Sequence, residues 1–287
     1  MCDDDIHQGL IEDPTVSRRA FGLMTLAATG IAGSARAAAP VVEKDVEVKT
    51  ADGTADCALY YPEGKGTWPA VLLWTDVMGL RPVFREMGKR LAADGYVVLV
   101  PNPYYRMKKA PVIDGAFDFS KPEDRAKLGA FRPSITPDGT ARDAVSFIAY
   151  LDAQPQTNKK AKVGTQGYCM GGPLAFYTAG AVPARVGAVA SFHGGGLYTD
   201  APDSPHLTLA KSHAEYLVCV ADNDDQRDPT IKDKLKAALD AAKRPNKVEV
   251  YKGANHGWTV RGSAVYNEPE AEKAWAELLA VYKRALV

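Results

Sequence analysis

Lys162-Val163-Gly164-Thr165-Gln166-Gly167-Tyr168-Cys169-Met170-Gly171-Gly172 is the stretch on which the fold turns. A short strand over Ala161 to Gln166 runs into Gly167-Tyr168-Cys169-Met170-Gly171, and a helix over Met170 to Ala181 follows. This is the strand-turn-helix pattern of a nucleophile elbow, with cysteine where serine usually stands. A turn that sharp has no room for side chains two residues before and two residues after its apex, so glycine is required at both places. The residue between them is pushed into the open, and here it carries a thiol, whose reactivity depends on how readily it becomes a thiolate.

Outward from the elbow, apolar runs alternate with helical periodicity, as stacked β-α units do. Lys44 to Lys49 and Cys57 to Tyr61 read as paired strands with Asp52-Gly53 as turn material. Ala70 to Thr75 is almost continuously apolar, which suits a strand buried on both faces of a sheet. A helix over Arg81 to Asp94 ends at Gly95, and the strand Tyr96 to Val100 is closed by Pro101. Asn102 to Pro137 then breaks the rhythm with five prolines and the pair Tyr104-Tyr105, leaving room only for a short helix near Pro122 to Gly129. Its length and its position after a strand mark it as a loop that walls or covers a site. Helices over Thr140 to Ala153, Pro229 to Ala242 and Glu268 to Leu286, and strands over Gly187 to Phe192, Tyr216 to Ala221 and Lys247 to Tyr251, complete the pattern. The expected class is α/β, a mostly parallel central sheet with helices on both faces, in one domain over residues 38–287.

The first 37 residues read as an address label. Ser17-Arg18-Arg19-Ala20-Phe21 carries a twin arginine, Ala20 to Gly33 is apolar, and Ala35-Arg36-Ala37 offers a small-x-small cleavage site. The apolar run falls short of the roughly twenty residues that a spanning helix needs, which favours a removed twin-arginine export signal over a permanent anchor. The expected partner of the precursor is the twin-arginine export machinery, and the expected location is periplasmic or secreted. With 35 basic and 35 acidic residues among 287 and a formal net charge of zero, no global field draws the chain to nucleic acid or to an anionic membrane. Removal of Cys2 with the leader leaves Cys57, Cys169 and Cys219, an odd number, so at least one thiol stays unpaired within a monomer. Cys57 and Cys219 sit in strand-like runs, where cysteine behaves as a small buried hydrophobe; a disulfide between them is the alternative.

A cysteine nucleophile needs a base, and the base needs an orienting carboxylate. The strand Tyr216 to Ala221 runs into Asp222-Asn223-Asp224-Asp225, an acidic loop at the carboxyl end of a strand, where open α/β sheets place ligands. The strand Lys247 to Tyr251 runs into Gly253-Ala254-Asn255-His256-Gly257-Trp258. Nucleophile, acid and histidine in that order, each after its own strand, follow the α/β-hydrolase arrangement. His193, before Gly194-Gly195-Gly196, also follows a strand, but it precedes the acidic loop and breaks the order.

The segment Gly167-Tyr168-Cys169-Met170-Gly171-Gly172, with Asp224 and His256 after it, resembles the dienelactone hydrolase family, also called carboxymethylenebutenolidases, over roughly Val46 to Leu286. The resemblance implies an α/β-hydrolase fold and a hydrolase of lactones or carboxylic esters that uses neither metal nor organic cofactor. It further implies Cys169 as nucleophile, His256 as general base and acid, Asp224 as its orienter, and an oxyanion hole formed by the amides of Met170 and Val77. Family members carry a glutamate in the loop after the early buried strand. This chain has Asp76 there, one methylene shorter and a supporting residue at most. For an anionic substrate the fork of an arginine is the natural grip. Arg261 falls one residue from a family substrate-binding position, with Arg125 and Arg106 as further candidates and Trp258 and Tyr105 as apolar walls, Trp258 suiting the core equally well. Two other classes fit parts of the pattern: a noncatalytic periplasmic binding protein that keeps the fold, and a thiol redox protein, for which no C-x-x-C pair is present.

Overall fold

The computed structural model describes residues 40–115 and 117–287; the leader and its twin arginine lie outside them. Eight strands form one sheet: β1 (Val41–Thr50), β2 (Gly53–Pro62), β3 (Ala70–Trp74), β4 (Val97–Pro101), β5 (Val163–Tyr168), β6 (Val186–Phe192), β7 (Glu215–Ala221) and β8 (Asn246–Tyr251). Their spatial order is β1-β2-β4-β3-β5-β6-β7-β8. The pairs β1-β2 and β2-β4 are antiparallel, and every pairing from β4-β3 to β7-β8 is parallel.

The sheet is covered on both faces, as the apolar runs require. Along β3, Ala70, Leu72 and Trp74 join one hydrophobic cluster while Val71 and Leu73 join the other. In β4, Val97 and Leu99 part from Val98 and Val100 in the same way. A pleated strand points successive side chains to opposite faces, so a run buried on both must be apolar at every position. Helices α3 (Pro137–Ala153), α4 (Gly171–Ala181) and α6 (Ile231–Ala241) fill the first face with residues such as Phe147, Phe176 and Leu235. Helices α1 (Pro82–Ala93) and α7 (Glu268–Ala285) fill the second with Phe84, Leu91, Trp275 and Leu278. Gly95 follows α1 at φ +99°, a left-handed conformation that glycine adopts without a Cβ clash.

The insertion contains α2 (Pro122–Phe131) and a single 3-10 turn over Arg132–Ser134, after which α3 begins at Pro137. Helix α3 starts three residues earlier than its periodicity suggests. The Thr136 hydroxyl accepts from the Gly139 amide, and Pro137 occupies the first turn, where its missing N–H costs nothing. The acidic stretch after β7 is also more ordered than a loop: Asp222–Arg227 forms the short helix α5. Three acidic residues in its first turn complement the helix dipole, a signal that hydrophobic periodicity does not carry.

Candidate active site

The carboxyl ends of β3, β5, β6, β7 and β8 all open on one edge of the sheet, and each delivers a polar residue there. Cys169 stands at the apex after β5 with φ +51°, a strained position for a residue with a Cβ. The strain is held by backbone bonds, with the Cys169 amide donating to the Phe192 carbonyl at 3.0 Å and the Gly172 amide to the Cys169 carbonyl at 3.0 Å. The glycines around it are dictated by close approach. A Cβ at Gly167 would lie 1.8 Å from the Gly171 carbonyl oxygen, and one at Gly171 would lie 2.5 Å from that of Thr75.

His256, buried on the loop after β8, places Nδ1 2.7 Å from Asp224 Oδ2, and its amide donates to Asn223 Oδ1 at 2.8 Å. Helix α5 thereby supplies both the orienting carboxylate and a second tether. Its other acids are engaged elsewhere: Asp222 accepts from Lys252 and the Gly253 amide, and Asp225 pairs with Lys232 at 2.8 Å. His256 Nε2 is buried with no hydrogen-bond partner among the described residues, and it shares a cavity wall with Cys169. Burial opposes a charged ring there. Its interactions with Cys169 and its hydrogen bond to Asp224 outweigh burial and hold the His256 pKa well above the usual histidine range.

Val77, after β3, and Met170, after Cys169, face the same edge, and neither amide makes a backbone hydrogen bond among the described residues. The Val77 loop is braced twice. Tyr104 donates its hydroxyl to the Val77 carbonyl at 2.7 Å and touches the Met170 sulfur at 3.2 Å. Asp76 accepts from the Met78 amide at 2.9 Å and is gripped on both oxygens by Arg81, at 2.5 and 2.7 Å. Asp76 is fully buried and its carboxylate is committed to this fork, so it acts as a clamp on the loop. Arg81→Ala leaves that buried carboxylate without its cation, with only the Met78 amide to donate to it, and is expected to cost about 3–5 kcal/mol, measured by urea unfolding.

Sequence reasoning weighed His193 only as a rival base. It packs ring against ring with His256, centroids 4.8 Å apart, and its Nε2 lies 2.9 Å from the Thr259 hydroxyl. Burial, and then the charge of His256, push its pKa well below the usual histidine range, so it sits neutral beneath the second imidazole. Its place after a strand and before Gly194-Gly195-Gly196 was the sequence signal for it. A histidine buried neutral takes up its proton only on unfolding. Its contribution to stability is therefore intact above the unfolded value of about 6.5 and is lost as pH falls toward the folded value, with a slope of up to ~1.4 kcal/mol per pH unit. His193→Asn, a residue that tolerates the observed φ of +42°, should flatten this acid limb in urea titrations at a series of pH values.

None of the remaining sequence candidates lines the cavity beside the thiol. Trp258 is completely buried, stacked on Tyr251 and edge-on to His193, and belongs to the core beneath the site. Tyr105 and Arg106 bind Asp143, and Arg106 also binds Asp52, tying the β1-β2 turn to α3. Arg125 donates to the carbonyls of Phe119 and Ser120. The Arg261 side chain is 65% exposed beside Tyr266 and Glu268. Cys57 and Cys219 are free, buried in different hydrophobic clusters, and burial pushes both thiols up. Among the described residues no cluster of three or more His, Cys, Asp and Glu side chains could hold a metal ion, and no helix is long and apolar enough to cross a membrane.

A thiol, a histidine tied to a carboxylate and two amides without a backbone partner among the described residues stand at one sheet edge, the kinds of group that acyl transfer uses. The model of the dienelactone hydrolase family matches residues 55–286. The chain belongs to that family. A carboxymethylenebutenolidase of Rhodococcus opacus is 26% identical over 232 residues, 79% of this chain and 86% of its own length. Among solved structures, a dienelactone hydrolase from Anabaena variabilis superposes with a TM-score of 0.59 at 20% identity, covering 86% of this chain and 99% of its own. A dienelactone hydrolase-like promiscuous phosphotriesterase from metagenomic libraries reaches 0.66 at 21% identity, with 86% and 99% covered. These likenesses show the α/β-hydrolase fold. This dienelactone hydrolase family member is a hydrolase by its family.

Proposed function

We propose that the protein hydrolyses lactones or carboxylic esters without a cofactor, through a Cys169-His256-Asp224 triad and a thioester acyl-enzyme. The observation that carries this reading is the 2.7 Å contact of His256 Nδ1 with Asp224, which leaves Nε2 free beside the cavity that Cys169 lines. The Cys169 thiolate adds to the substrate carbonyl carbon, and the resulting oxyanion rests on the Val77 and Met170 amides. Collapse breaks the acyl C–O bond, and the departing alkoxide takes the proton from the His256 imidazolium. Water then attacks the thioester carbonyl while His256 removes its proton, and expulsion of the thiolate releases the carboxylic acid. A thiolate leaves a tetrahedral intermediate readily and an unprotonated amine does not, so esters and enol lactones suit this site better than amides.

Turnover of a panel of activated esters and lactones by wild type, beside Cys169→Ser, tests the reading. Product release by wild type with a large loss in the variant is expected. Saturable binding without product would favour a noncatalytic binding protein. Asp224→Asn should keep the fold and lower kcat/KM by about 10³ to 10⁴-fold, because the imidazole loses the acceptor that fixes its tautomer. The arginine pair and apolar stretch of the leader further lead us to place the mature chain in the periplasm or outside the cell. Replacing Arg18 and Arg19 by lysine should then retain the precursor in the cytoplasmic fraction.

A further inference from the structure

We infer that the cavity beside Cys169 takes an uncharged, apolar substrate group and discriminates against one that carries a carboxylate; the inference rests on the hydrolase reading above. The cavity encloses about 180 Å³ between the start of α3, helix α4 and the loop after β6. Ile135, Pro137, Met170, Pro173, Leu174 and Tyr177 form its walls, and no lysine or arginine lines it.

Apart from Cys169 and His256, the polar side chains in that lining offer a ligand one neutral hydroxyl proton, that of Thr136. Thr136 caps α3 by accepting from the Gly139 amide, and the Tyr177 hydroxyl donates to the Asp203 carbonyl at 2.9 Å. Three cations that a carboxylate could seek are bound elsewhere or turned away. Arg81 is locked on Asp76, Arg125 serves two backbone carbonyls, and Arg261 stands in solvent near Glu268. The donors that the hydrolase reading places at the thiol are the His256 ring and the amides of Val77 and Met170. A carboxylate that engaged them would occupy the place of the oxyanion and hold the scissile carbonyl away from the sulfur. Elsewhere in the cavity it would exchange water for apolar carbon and meet no cation, only the neutral Thr136 hydroxyl and the Gly195 backbone. A neutral chain of the same length meets neither obstacle and buries its methylenes against the walls.

Mono-p-nitrophenyl adipate and its methyl-capped diester differ only in the charge at the far end of the acyl chain. At neutral pH the free acid is ionised. With the rate of Cys169→Ala subtracted, kcat/KM for the capped ester should exceed that for the acid by at least about thirtyfold, an unpaired buried charge against a buried ester. A ratio near one, or a preference for the acid, overturns the inference while leaving the hydrolase reading intact. If neither compound nor p-nitrophenyl acetate is cleaved beyond the Cys169→Ala rate, the hydrolase reading fails and the inference falls with it.

Discussion

Cys169→Ala is expected to lower kcat/KM toward activated esters by about 10⁴-fold or more while the protein stays folded. Loss of a nucleophile removes the covalent route and leaves only binding and oxyanion stabilisation, and residual rates in such variants are correspondingly small. The fold should tolerate the change. Alanine meets the same left-handed backbone penalty at φ +51° that cysteine already bears, and the elbow is held by the Phe192 and Gly172 backbone bonds rather than by the thiol. Steady-state kinetics beside a thermal melt would check both halves. A variant that melts like wild type and turns over like wild type would remove Cys169 from the chemistry.

Gly167→Ala is the opposite case, in which structure fails before catalysis can be asked about. The added methyl would sit 1.8 Å from the Gly171 carbonyl oxygen and 2.1 Å from its carbon, both backbone atoms of the turn into α4. No rotamer change relieves a clash with backbone. The strand β5 is central, paired with β3 on one side and β6 on the other, and cannot shift without disturbing both ladders. We expect a loss of at least about 4 kcal/mol, or failure to accumulate as soluble protein, measured by chemical unfolding and by yield.

Local chemistry made much of this molecule legible in its sequence. Continuous apolar runs such as Ala70 to Trp74 announced strands buried on two faces, and they are split residue by residue between the two hydrophobic clusters. The glycines of the elbow encoded a backbone approach, and the nucleophile-acid-histidine order placed Cys169, Asp224 and His256 at separate strand ends. Partners set by the path of the chain were not legible. Arg81 meets Asp76 because α1 begins where the β3 loop turns back, a geometry that five residues of sequence do not disclose. Trp258 was a candidate wall by its nearness to His256 in sequence, yet Gly257, at φ +97°, lies between them and Trp258 packs into the core. Arg125 and Arg261 were chosen for their chemistry, and only the backbone decides which way such side chains can reach. Asp222–Arg227 carried no apolar stripe to mark it as a helix, and its boundary charges were its only sign.

The choice of Asp224 from the acidic run shows the same division. Sequence supplied three neighbouring aspartates, and geometry separates them: Asp222 and Asp225 answer to Lys252 and Lys232, and Asp224 alone of the three reaches the imidazole. The Asp76 clamp is a departure from the family glutamate that the one-methylene difference announced and the Arg81 fork explains. A carboxylate held on both oxygens by a guanidinium serves the shape of the loop after β3.

The most direct test of the central claim is acid-quench mass spectrometry of the enzyme caught during turnover of p-nitrophenyl acetate, with peptide mapping of any adduct. The account predicts one acetyl group per chain, on the peptide that contains Cys169, released by hydroxylamine as a thioester is. Steady turnover with no adduct under any quench time, or an acetyl group mapped to another residue, would contradict it.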